Sequence, residues 1–299
     1  MKQLKRRWNR LSGTGSVLNL LYVPALLLVF MFIFYPFLQG VLISFREWNG
    51  YSPNYIFVGL DKYRAMFRDP NFYTVLRNTL VYGIGSTFLQ NVFGLLMAML
   101  LDQKLKGEKL VRTMVYLPVV VSAIIMGYVW YFFFKYNGGA INDILALFGG
   151  RPIDWLSSGK RSVPIIVLVN TFQYVGSSMM IYLAGLQNIS KEYFEAAEMD
   201  GASGVKKFFR ITLPLLMPSI TFSVVWNLIG GLKLFDVIQA LTGGGPGYAS
   251  ASISTMMYQV YFVRMDAGYA AAMGNFMFVL ISVLSIYALG YLRRKEVDL

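Results

Sequence analysis

The sequence predicts an all-α, polytopic membrane protein with six transmembrane helices. Three observations support this. Apolar residues make up 56% of the 299 residues. Charged residues make up only 14%, where a soluble domain carries about 25%; a charge placed at the bilayer centre costs several kcal/mol, so lipid-facing surface requires such a shortfall. Six apolar segments, at roughly 18–44, 79–101, 113–134, 163–186, 213–238 and 268–291, each reach the length of about 20 residues that a hydrocarbon core of about 30 Å demands. A single membrane domain, 1–299, accounts for the chain.

The elements follow in order. Residues 1–17 form a basic N-terminal segment with Lys2, Lys5, Arg6, Arg7 and Arg10, the pattern that holds a terminus in the cytoplasm. The first apolar run is too long for a signal-peptide core and lacks an A-x-A exit, so it is expected to remain as a helix. Six crossings put both termini on one side. Sixteen Lys and Arg then fall on that side against ten on the other, a bias toward cytoplasmic termini. Loop 46–78, with five basic residues, runs against it. Pro24, Pro36, Pro118, Pro164, Pro214 and Pro218 lie in or at the ends of apolar segments, where they either kink helices around a cavity or are tolerated through neighbouring helices.

Composition excludes several functions. The chain has no Cys and no His, which removes thiol catalysis, disulfides, His proton relays and most zinc sites. No catalytic or metal constellation remains, and no G-x-x-x-x-G-K-[ST] sequence is present to cradle a nucleotide. The net charge of +12 comes without a basic and aromatic platform, so nucleic acid is not an expected partner.

The loop at 187–213 carries the sharpest signal. Glu192, Glu195, Ala196 and Glu198 favour a short helix, Gly201 and Gly204 interrupt it, and Val205–Ile211 resumes as a basic, aromatic stretch. Two short helices with a glycine bend are expected, with Pro214 in the first turn of the next crossing. In the fourth segment Asn170, Gln173, Tyr174 and Ser177 follow i, i+3, i+4, i+7 spacing and share a face. That stripe either glues helices together or lines a cavity. The fifth segment carries Asn227, Gly230, Gly231, Lys233 and Asp236. Lys233 and Asp236 at i, i+3 either neutralise each other, or Lys233 faces a cavity and attracts an anionic solute. Gly243, Gly244, Gly245, Pro246 and Gly247 read as a tight turn, since no Lys-Ser/Thr pair follows to make a phosphate loop.

Glu195, Ala196, Ala197, Gly201, Ile211, Leu213 and Pro214 match, without a gap, the E-A-A, three residues, G, nine residues, I-x-L-P loop signature of the membrane subunits of binding-protein-dependent ABC importers. FVGLDKY (57–63), DPNFY (69–73), LRNT (76–79), LTGGGPG (241–247) and GYAAAMGN (268–275) resemble the sugar-importer permeases of that family, nearest the first of the two paired permeases. The 299 residues contain no counterpart of the extra N-terminal helices and outer domain of the maltose-type partner. The resemblance implies a type I importer permease fold and a heterodimer with a second, homologous permease. It also implies two ATPase subunits that hold the ATP and Mg, an extracytoplasmic solute-binding protein, and a sugar substrate crossing the lipid bilayer. No cofactor is then bound by this chain and no reaction is catalysed by it. The resemblance makes Glu195, Ala196, Ala197, Asp200 and Gly201 the ATPase-coupling residues. It places substrate at Gln173, Tyr174 and Ser177, with Asn170, Asn227, Gly231 and Lys233 as further candidates. Two rivals are an ABC permease for another solute, an anionic sugar derivative included, and a proton-coupled carrier. The carrier would need buried titratable relays and inverted repeats. A membrane enzyme would need a nucleophile, base or metal cluster.

Overall fold

The computed structural model describes residues 15–103, 106–202 and 204–297. The basic N-terminal cluster lies outside the described residues. Helix α1 (Gly15–Val29) passes through a π-helical turn, Phe30–Phe34, into α2 (Tyr35–Ile43). A two-residue hairpin, β1 (Arg46–Glu47) and β2 (Ile56–Phe57), pairs antiparallel with Arg46 opposite Phe57. Then follow α3 (Asp61–Arg68), α4 (Pro70–Asp102), α5 (Glu108–Val120), α6 (Ala123–Phe134), α7 (Ala140–Leu147) and α8 (Gly159–Gln187). The remainder comprises α9 (Lys191–Met199), α10 (Gly204–Lys207), a π turn (Phe208–Thr212), α11 (Leu213–Leu215), α12 (Met217–Leu232), α13 (Asp236–Leu241), α14 (Ile253–Phe262) and α15 (Ala267–Arg293).

The predicted crossings are corrected in two places. Four spans are unbroken, whereas Glu108–Val120 with Ala123–Phe134 is bent by 100° and Gly204–Leu215 with Met217–Leu232 by 69°. Pro118 stands in the last turn of α5, where it withholds one backbone donor and crowds the carbonyl a turn back. The chain is extended at Val121 and restarts at Ala123. The fifth segment, expected to continue to residue 238, stops instead at Leu232 and resumes at Asp236.

Each break leaves backbone carbonyls without helical partners, which inside a membrane must be met by protein. Gln173 donates through Nε2 to the Val121 carbonyl at 3.0 Å. Ser252 Oγ donates to the Leu234 carbonyl at 2.7 Å and Ser254 Oγ to that of Lys233 at 3.3 Å. The segment bearing these serines is itself clamped by α4. Asn78 Nδ2 donates to the carbonyls of Ala249 and Ala251 at 3.0 and 3.1 Å, and Tyr82 donates to that of Ser250 at 2.7 Å. The Ile253 amide donates to Thr79 Oγ1 at 2.9 Å. The glycine-rich loop is folded on itself: the Gly244 amide reaches Thr242 Oγ1 at 3.1 Å and Ser250 Oγ reaches the Gly245 carbonyl at 2.8 Å. Gly243, Gly244 and Gly247 all have positive φ, so the expected tight turn is present.

Small residues set the helix spacing, as in membrane bundles generally. A Cβ on Gly94 would stand 2.5 Å from that of Ser178, and one on Gly176 would stand 2.5 Å from the Val115 carbonyl. Buried amides bridge the same helices, with Gln90 Nε2 donating to the Asn170 carbonyl at 3.0 Å and Asn227 Nδ2 to Ser178 Oγ at 2.7 Å. At one end of the bundle Lys62 of α3 pairs with Asp266, the N-cap of α15, at 3.0 Å. At the other end Leu101, Leu186 and Leu216 close a common apolar cluster. The loop with α9 and α10 lies there.

Gly176→Leu is expected to lower the melting temperature and folded yield in detergent, because overpacking against backbone costs about 1–3 kcal/mol. Gly230→Ala, where a Cβ meets nothing within 4 Å, is expected to leave both unchanged. Equal melting of the two variants would show that α8 does not pack against α5 as described.

Candidate functional site

Where α12 breaks off, a cavity of about 270 Å³ opens between α4, α8 and the broken segment. Asn170 and Tyr174, one turn apart on α8, share its wall with Asn227 and Gly231, one turn apart on α12. Lys233, Phe235 and Asp236 contribute from the break, and Gln90 from α4. The Asn170 Oδ1 is buried and has no partner among the described residues. Trp226 presents a 62% exposed side chain at the rim, its ring lying nearly parallel to that of Phe222 at 6.1 Å.

Five of the seven residues marked from sequence as substrate candidates therefore meet in one place: Asn170, Tyr174, Asn227, Gly231 and Lys233. The other two do not. Gln173 lies about 100° around the helix from Tyr174 and spends its amide on Val121. Ser177, half-buried, is not part of this wall. Both readings of the polar stripe thus hold, each for different residues. The expected Lys233–Asp236 ion pair is absent from the pairs formed among the described residues. Lys233 ends one helix and Asp236 begins the next, so the i, i+3 spacing no longer aligns them. Both side chains face the cavity and are exposed.

Sequence reasoning did not place Gln90, Trp226, Phe235 or Asp236 at this wall. Gln90 was visible as an amide inside an apolar span, and Trp226 as the neighbour of Asn227. Phe235 carried no signal, since it enters only because the helix stops before it.

The loop at the opposite end is built as two short helices. Ser190 caps α9, its Oγ accepting from the Glu192 amide at 3.4 Å. At the other end the Gly201 amide reaches the Glu198 carbonyl at 3.0 Å and the Ala202 amide reaches that of Ala197 at 2.8 Å. These are the paired bonds of a Schellman stop, with glycine at the left-handed position; Gly201 has φ +71°. Glu198 is tied to Lys207 of α10 at 2.7 Å, which folds the two helices against each other. Glu195, Ala196 and Asp200 are exposed, and Glu195 forms no ion pair among the described residues. Ala197 turns inward, 5% exposed, so the free face is built from Glu195 and Ala196 rather than from both alanines.

A helical body with four unbroken apolar spans and two bent ones, a polar cavity at a broken helix and an ordered helical loop fits a membrane translocation subunit. Residues 90–297 match the family described as "Binding-protein-dependent transport system inner membrane component", and the chain belongs to that family. The probable ABC transporter permease protein YurN of Bacillus subtilis is 33% identical over 278 residues, covering 92% of this chain and 95% of that one. The multiple sugar-binding transport system permease protein MsmF of Streptococcus mutans is 31% identical, with 93% and 95% covered. The trehalose/maltose transport system permease protein MalF of Thermococcus litoralis is 34% identical, with 89% and 90% covered. Among solved structures, a chain of a bacterial ABC transporter involved in the import of the acidic polysaccharide alginate superposes with TM-score 0.81 at 26% identity, covering 98% of both chains. The same architecture appears in a structure with an alginate pentasaccharide-bound periplasmic protein, again at TM-score 0.81.

Gly201→Val is expected to raise hydrogen exchange at the Ala202 amide roughly tenfold, since a side chain in the left-handed region costs about 1–2 kcal/mol. Unchanged exchange would mean that the stop does not depend on the glycine.

Proposed function

We propose that this chain is one of two homologous permease halves of an ATP-driven importer for saccharides. In this reading the α9 end and both termini face the cytoplasm, where two ATPase subunits carry ATP and Mg. The end with α3 and the glycine-rich loop faces a solute-binding protein. The cavity is the observation that carries the reading. The unpartnered Asn170 Oδ1 and the Tyr174 hydroxyl suit the hydroxyls of a sugar, while Gln90 and Asn227, whose amide nitrogens are donated within the bundle, hold the wall in place. The exposed Trp226 face suits its apolar ring surface, in the manner of aromatic recognition generally. Relatives named for multiple sugars, trehalose and maltose support the same class.

Coupling then follows from mechanics. The exposed face of α9, with Glu195, Ala196 and Asp200, docks an ATPase groove, and Glu195 meets a basic residue there. The Glu198–Lys207 tie makes α9 and α10 move together, and the bend at Leu216 lets α12 turn relative to them. Because Lys233, Phe235 and Asp236 follow directly on α12, a rotation of α12 reshapes the cavity wall. No bond is made or broken in the solute.

A second reading, an anionic saccharide, is favoured by one observation: Lys233 stands in the cavity wall without its expected acidic partner. The Asp236 carboxylate on the same wall offsets its charge, so a neutral saccharide remains the first reading.

The test is ATPase activity of the reconstituted complex, with binding protein charged by a panel of neutral and uronic saccharides. One saccharide class is expected to stimulate hydrolysis, and Glu195→Lys is expected to abolish that stimulation with membrane insertion intact. Lys233→Gln is expected to raise the half-saturating concentration about tenfold for a uronide and about twofold for a neutral sugar, as loss of a charged rather than a neutral hydrogen bond predicts. Solute movement by the chain alone, without ATP, would overturn the importer reading.

A further inference from the structure

Helix α4 is longer than a membrane core is thick. Its 33 residues run about 50 Å at about 1.5 Å each, against a core of about 30 Å. With the apolar segment at 79–101, the surplus falls at the Pro70 end, where residues 70–78 run about 13 Å beyond it at about 1.5 Å each. Arg77 lies two turns inside the Pro70 end, which puts it at the polar boundary. On the same face below it Val81, Ile84 and Phe88 are 40%, 58% and 65% exposed, a stripe suited to lipid.

Two hollows meet at this arginine. One, about 510 Å³, runs beneath it as an apolar groove along Leu76, Leu80, Val81 and Ile84. The other, about 750 Å³, opens beside it, with Lys160 at the start of α8 as its second cation and Tyr73 at the edge shared with the groove. No carboxylate lines either hollow. Neither Arg77 nor Lys160 joins an ion pair among the described residues. The 29-residue α8 also directs its positive N-terminal end here.

We propose that this cleft holds an anionic phospholipid, its phosphate between Arg77 and Lys160 and one acyl chain along the α4 groove. Charge complementarity selects an anion, since two unpaired cations share one cleft. The groove selects a lipid over a soluble anion, because inorganic phosphate has nothing to place against Leu80 and Ile84. An acidic protein surface would supply carboxylates but no chain at hydrocarbon depth. The bound lipid would brace the ends of α4 and α8, the two helices that carry Gln90 and Asn170 into the cavity. The proposal does not depend on what the cavity transports.

The full chain, purified with its companion subunits, is placed in nanodiscs of phosphatidylcholine containing a minor share of phosphatidylglycerol, and retained lipid is read by native mass spectrometry. Wild type is expected to keep phosphatidylglycerol with roughly thirtyfold higher apparent affinity than the Arg77→Gln/Lys160→Gln variant, from two juxtamembrane cations. Arg77→Lys/Lys160→Arg is expected to restore retention, with phosphatidylcholine equal throughout. Equal phosphatidylglycerol retention by wild type and the glutamine variant would overturn the proposal. So would its displacement by millimolar inorganic phosphate, which would assign a free-anion site, or capture of a companion subunit by a photocrosslinker at Thr74. Should the glutamine variant fail to fold, wild type decides: failure to prefer phosphatidylglycerol over phosphatidylcholine overturns it equally. Lipid retention is read without solute or ATP, so failure of the transport reading would leave this result standing.

Discussion

A backbone carbonyl released inside a membrane must find a protein donor, and the architecture of this chain follows from how three such carbonyls find theirs. A helix satisfies its own carbonyls, so a break is permitted only where a side chain replaces the missing amide. Gln173 does this for Val121, Ser252 for Leu234 and Ser254 for Lys233. Each donor comes from a different element than its acceptor, so the breaks tie the bundle together rather than loosening it.

The cavity is a consequence of the second break. If α12 ran on to residue 238 as a regular helix, Lys233 and Asp236 would sit one turn apart and pair, and Phe235 would face another direction. Interruption after Leu232 separates the two charges and turns all three residues to one wall. The support for that interruption reaches back to α4, where Asn78, Thr79 and Tyr82 hold the segment that carries Ser252 and Ser254. The glycine-rich loop is therefore joined through a chain of hydrogen bonds to the place where the cavity residues emerge. At the opposite end Glu198 and Lys207 link α9 to α10 through one largely exposed ion pair. The bends in the bundle fall at Val121–Ser122 and Leu216.

The two-helix loop at 187–213 was readable because its determinants are local. Gly201 and Pro214 act within a few residues through a left-handed turn and a missing donor, so their spacing alone specifies two short helices and a bend; the Ser190 cap was supplied by the structure. The polar stripe of α8 was readable only as a stripe. Its periodicity put 170, 173, 174 and 177 on one broad face, but that face looks at two neighbours, the cavity and the α5–α6 break, and spacing along one helix carries no information about either.

By itself the sequence determined the membrane class, the number of apolar segments, the two-helix loop and the family, because composition, segment length and local backbone chemistry need no distant partner. Tertiary structure alone decided where the third and fifth segments break, that Lys233 and Asp236 do not pair, that Gln173 is a backbone partner rather than a cavity residue, and that Ala197 faces inward. The reason is physical. Proline and glycine make a break permissible, but whether it forms, and which side chains it exposes, depends on a donor arriving from another part of the chain. Gln173 lies 52 residues beyond Val121, and Ser252 lies 18 beyond Leu234.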